Sequence, residues 1–201
     1  MVHLLLPRRG RRGGAGVGEA LAGGAPPVTG AFAVFLNGSF GVGKSTVLEH
    51  LGDQLAAAGT PFALVDVDWF HRSWPPAPDD PENVLGEAEN IAAVWATYRH
   101  AGPRQLVVSG VIRSGADRER YERATGLPVR SVRLEADAAT SEQRLRRRYS
   151  ADQQTALDWH LQRHRALAEQ LRAADLDELA LDTAAMAPAQ VAGAVRRHVG
   201  L

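Results

Sequence analysis

Residues 37–46 read Asn37-Gly38-Ser39-Phe40-Gly41-Val42-Gly43-Lys44-Ser45-Thr46, and Gly38 to Ser45 fit the pattern G-x-x-x-x-G-K-[ST] without a mismatch. Each residue type in that pattern has a physical task. Glycines let consecutive backbone N–H groups turn inward around a phosphate, a lysine reaches the terminal phosphates, and a serine hydroxyl can ligate Mg²⁺. The flanks agree. Ala31-Phe32-Ala33-Val34-Phe35-Leu36 is an apolar run that reads as a buried strand, and Val47, Leu48, Leu51 and Leu55 recur at helical spacing until Gly59. Strand, glycine loop and helix start together place N–H groups and the positive end of a helix dipole against an anion. Lys44 is the only lysine among 23 basic residues, so the compact ammonium is kept where a planar guanidinium would not fit.

Working outward, the chain of 201 residues is long enough for one α/β domain and short for two. Its 45% apolar and 23% charged residues are ordinary for a globular protein. With zero cysteines there are no disulfides and no cysteine-held metal, which suits a cytoplasmic address. Formal net charge is zero, which argues against nucleic acid as the main partner. No stretch reaches the roughly 20 apolar residues that span a bilayer, so no membrane partner is expected. Residues 1–30, rich in Gly, Ala, Arg and Pro without a period, read as a disordered tail, leaving 31–201 as the folded domain.

Beyond the first helix, Pro61–Val65 reads as a second strand that ends in Asp66-Val67-Asp68. Residues 71–83 hold four prolines and read as a loop of the length that usually carries function. Val84 to Tyr98 is an amphipathic helix, 105–110 a third strand, 115–125 a short helix and 129–134 a fourth strand. A charged helical stretch over about 138–173, broken near Ser150, precedes a short strand at 178–181 and a final helix opened by Pro188. Strands alternating with helices predict a five-stranded parallel sheet covered on both faces, with ligands at the carboxyl ends of the strands.

Asp66 and Asp68, delivered to that edge by strand two, can point the same way if the chain stays extended. Asp66 is assigned to Mg²⁺ through water, together with Ser45, and Asp68 to accepting the proton of an attacking hydroxyl. Arg144-Leu145-Arg146-Arg147-Arg148 is read as part of a lid over ATP, with Arg147 as the catalytic arginine and Arg144 and Arg148 on the nucleotide. Arg113, after strand three, can clamp an anionic group of the acceptor or pair with an acid on the following helix, and His71, Arg72 and Trp74 can line the acceptor pocket or stand on the surface. Trp159 is expected in the core and His160 in a structural role. Asp182-Thr183, after the last strand, is a candidate for contact with adenine through backbone groups.

With these residues placed, the chain resembles the small-molecule kinases of the P-loop group with a nucleoside-monophosphate-kinase-like fold. The parallels are shikimate kinase, gluconate kinase, adenylylsulfate kinase and chloramphenicol phosphotransferase. The resemblance rests on Gly38–Ser45, on Asp66-Val67-Asp68 and on Arg144-Leu145 with Arg147 and Arg148, and covers about residues 31–200. It implies a three-layer P-loop fold with a helical lid. It further implies a kinase, monomeric or homodimeric, moving the γ-phosphoryl of ATP to a hydroxyl of a small metabolite or antibiotic. On the acceptor side the match departs: Ser109-Gly110-Val111 stands where shikimate kinase has a glycine triplet, and that enzyme's acceptor arginines have no counterparts. A nucleotide kinase and an ATP-dependent switch or hydrolase stand as alternatives. A GTPase does not, because its Asn-Lys-x-Asp motif needs a second lysine.

Overall fold

The computed structural model describes residues 31–201; the tail expected over 1–30 lies outside the described residues. Five strands, β1 (Ala33–Asn37), β2 (Phe62–Asp66), β3 (Gln105–Gly110), β4 (Val129–Glu135) and β5 (Leu179–Asp182), form one parallel sheet in the order β2-β3-β1-β4-β5. Among the described residues six helices cover it: α1 (Lys44–Ala57), α2 (Val84–Arg99), α3 (Gly115–Thr125), α4 (Ala138–Arg148), α5 (Gln154–Ala174) and α6 (Pro188–Val199). The central strand shows why. All five residues of β1 are buried, and the first four are apolar on both faces, as a strand inside a two-sided sheet must be.

Alternation then divides the core in two. Val34 and Leu36 join Leu51, Leu55, Val191 and Val195 from α1 and α6 on one face. Ala33 and Phe35 join Ile91, Trp95 and Tyr121 from α2 and α3 on the other. The indole of Trp95 also donates to the carbonyl of Thr125 at 3.0 Å, tying α2 to α3. Each fully buried large aliphatic or aromatic side chain contributes about 1.5–3 kcal/mol relative to exposure. These two layers fix the sheet, and the sheet fixes the site.

Register does the rest. Asp66 pairs with Ser109 across β2 and β3, and Asn37 pairs with Gly110 and Arg133, so the carboxyl ends of the strands come level with the glycine loop. Two expectations change here. After Asp66 the chain does not stay extended: Val67–Trp69 is a turn of 3₁₀ helix, because the Asp66 carboxylate accepts the N–H of Asp68 at 3.2 Å. Trp159, expected in the core, is 46% exposed, because the face of α5 that carries it turns toward Phe40 rather than toward the sheet.

Candidate active site

The glycine loop spans the end of β1 and the start of α1. Gly43 holds φ 95°, a left-handed conformation that glycine adopts freely, and directly precedes Lys44, the first residue of α1. Having no side chain, it cannot cap the first-turn N–H groups of that helix, which stay available to an anion. A Cβ added at Gly43 would meet only Arg144 Nη1, at 3.9 Å, so the loop's mouth is open there. Behind the loop, buried Asn37 works as a staple. Its Oδ1 accepts the N–H groups of Gly38 (2.9 Å) and Ile112 (3.0 Å), and its Nδ2 donates to the Ile112 carbonyl (3.1 Å) and to Asp177.

Lys44 Nζ donates to the carbonyls of Gly38 (2.8 Å) and Ser39 (3.0 Å) and so spans the loop it belongs to. Burial pulls its pKa below the usual lysine value and Arg148 adds to that, while Asp68 and Asp66 pull the other way. Ser45 Oγ donates to Asp66 Oδ2 at 2.7 Å. A hydroxyl and a carboxylate side by side are hard oxygen donors of the kind Mg²⁺ takes alongside phosphate oxygens and water. Among the described residues no cluster of three or more metal-binding side chains exists. The donor set suits a nucleotide with Mg²⁺.

Two cavities meet at this edge. One, of about 520 Å³, lies over the loop and is lined by residues 39–47 together with Arg144, Arg148 and Thr183. The other, of about 880 Å³, opens between the turn after β2, the start of α2, α3 and the stretch of α5 from Trp159 to Gln170. Phe40, Asp68 and Arg148 line both. His71, Arg72 and Arg113 line the larger one; Trp74 and Arg147 are exposed and line neither.

Arg144 is already engaged. Its Nη1 donates to the Val42 carbonyl (3.2 Å) and the Thr183 hydroxyl (2.8 Å), and its Nη2 to the Thr183 carbonyl (2.8 Å). It therefore clasps α4 to the glycine loop and to the turn after β5. Arg113 lies 3.7 Å from Asp117, which also pairs with Arg120.

The larger cavity contains residues that spacing alone did not reveal. Glu87 is buried; Tyr121 donates its hydroxyl to one carboxylate oxygen, and His71 Nε2 lies 2.6 Å from the other. The hydrogen bond to Glu87 raises the pKa of His71 against the opposing effect of burial, and Asp68 adds to the rise. Burial, with the Glu87 charge beside it, pushes the Tyr121 phenol far up, so it stays a donor. Asp80 accepts the first N–H groups of α2, those of Val84, Leu85 and Gly86, at 2.7–2.9 Å and fixes the helix that presents Glu87.

A parallel sheet with a glycine loop entering a helix, a lysine across that loop and a serine–aspartate pair beside it defines a P-loop nucleotide-binding protein. The AAA domain family model matches residues 34–174, well over half of the chain, and the protein belongs to that family. Among solved structures it is similar to the Deinococcus radiodurans tunicamycin resistance protein, at 21% identity and TM-score 0.58, covering 85% of this chain and 96% of that one. It is also similar to a sugar kinase from Janibacter sp. HTCC2649, at 20% and 0.57, covering 85% and 95%. A gluconokinase from Sinorhizobium meliloti 1021 aligns at 19% and 0.52, covering 85% and 91%. At these identities the likeness is one of fold, the P-loop kinase-like fold. No curated protein matches the chain. Among the described residues no helix is long and apolar enough to cross a membrane.

Proposed function

We propose that the protein is an ATP- and Mg²⁺-dependent kinase that phosphorylates a hydroxyl of a small metabolite or antibiotic. The observation that carries this reading is Asp68, which borders both the cavity over the glycine loop and the larger one beside it. A carboxylate at the junction of two cavities is where a proton acceptor is needed when a phosphoryl group passes from one ligand to another. In the reaction, Asp68 takes the proton of the acceptor hydroxyl as the new O–P bond forms to the γ-phosphorus. The bond from that phosphorus to the β–γ bridging oxygen breaks, and its electron pair leaves with ADP. The N–H groups of residues 38–46 and the Lys44 ammonium hold the phosphates. Ser45 and Asp66 would hold Mg²⁺, which supplies charge neutralisation on the phosphate oxygens. Arg148 is the arginine of the basic run that borders both cavities, so it takes the stabilising role read for Arg147. The tunicamycin resistance protein, the sugar kinase and the gluconokinase share the fold and lend the kinase reading their support.

The test incubates the full chain with Mg²⁺, γ-labelled ATP and pooled hydroxylated metabolites and antibiotics. Label appears on a small molecule, is lost in Lys44→Ala, and forms about 10²–10⁴-fold more slowly in Asp68→Asn although ATP still binds. Label released only as free phosphate would replace the kinase with a hydrolase.

A further inference from the structure

The larger cavity has a wall that phosphoryl transfer does not by itself require. Phe40 comes from the glycine loop, Tyr149 follows the last residue of α4, and Trp159 and His160 stand in the second turn of α5. Their rings form one cluster. Phe40 meets His160 edge-on at 4.8 Å and 90° and Trp159 at 5.4 Å, while His160 lies 4.9 Å from Trp159 and 5.3 Å from Tyr149. The cluster is held in place: His160 Nδ1 bonds the Ala156 carbonyl at 2.7 Å, and the Tyr149 hydroxyl lies 3.1 Å from the same nitrogen. These planes are set before any ligand arrives.

Trp159 remains nearly half exposed, with the Arg163 guanidinium 4.4 Å from its ring centre. An indole left this open forgoes the free energy of burial, which a bound ring would recover. Size points the same way. At about 880 Å³ the cavity exceeds the one over the phosphate loop, and it falls in the range of roughly 300–1,000 Å³ that encloses drug-sized ligands. The opposite wall, with His71, Glu87 and Arg113, is polar. A small polyhydroxylated acid would leave the aromatic wall uncovered. An amphipathic molecule would use both.

We infer that the acceptor is a drug-sized hydroxy compound bearing an aromatic or heteroaromatic ring, packed on Trp159 and Phe40 with its reactive hydroxyl at Asp68. Because Phe40 borders both cavities, a ring seated there directs the rest of the molecule toward Asp68. The role of the hydroxyl rests on the kinase reading above; the ring site does not.

The experiment is saturation-transfer NMR on the full chain with ADP and Mg²⁺ present. The probes are paired hydroxylated compounds, each aryl or benzyl glycoside and each nucleoside set against its methyl or cyclohexyl counterpart. The aromatic member binds about tenfold more tightly in most pairs. Trp159→Ala loses that preference and Trp159→Phe keeps most of it. The absence of aromatic binders, or an unchanged preference in folded Trp159→Ala, would overturn the inference. Aryl binding without label transfer would sink the kinase reading alone, and transfer to a small polyol without aryl preference would sink this one alone.

Discussion

Gly41 and Gly59 share a left-handed backbone, φ 78° and 70°, yet stand in different surroundings. A Cβ at Gly59 would meet nothing within 4 Å, whereas one at Gly41 would lie 2.6 Å from the Ser141 carbonyl oxygen and 3.1 Å from Leu145. Gly59→Ala therefore costs only the conformational penalty, about 1–2 kcal/mol. Gly41→Ala costs that plus the displacement of α4 from the loop, and urea unfolding will show it as the larger loss by about 1–3 kcal/mol. Equal losses would mean that α4 yields without resistance. The motif announces glycine at both ends of the loop; the crowding of Gly41 by α4 comes from a contact a hundred residues away in the chain.

Among elements, α4 shows how much of a basic run can be read in advance. Four arginines in five residues invite a lid, but only the packing of the helix separates them. Arg144 and Arg148, four apart, share one side and line the loop cavity, while Arg147 falls on the solvent side. Residues three and four along from Arg144 are both its neighbours on a helix, so Arg148 is told from Arg147 by packing and not by spacing. Nor could spacing supply the employment of Arg144 as a clasp between Val42 and Thr183. Arg144→Lys replaces a two-pronged donor by a single point, so it will lower unfolding free energy by about 1–3 kcal/mol and weaken nucleotide binding severalfold. Calorimetric titration of ATP with thermal unfolding measures both, and an unaltered variant would show that the clasp is idle.

Across the whole molecule, the turn after β2, α2 and α3 converge on His71, Glu87 and Tyr121, three residues with no common motif. Since the folded pKa of His71 is raised, the pair stabilises the protein fully below the unfolded histidine pKa of about 6.5 and loses that contribution as pH rises through the folded value. Denaturation midpoints followed from pH 5 to 9 will therefore fall more steeply in the wild type than in Glu87→Gln. Parallel curves would remove His71 from the account.

The glycine loop, the lysine, the apolar strands and the helical periods were determined by the sequence alone, because they depend on local rules: backbone freedom at glycine, alternation in strands and spacing in helices. Strand register and helix packing decided the rest. They set Asp66 against Ser45, bent the chain so that Asp68 stands between two cavities, and turned Trp159 outward beside Phe40. These depend on which distant segments pack together, and packing is a property of the assembled core that no single stretch of chain carries.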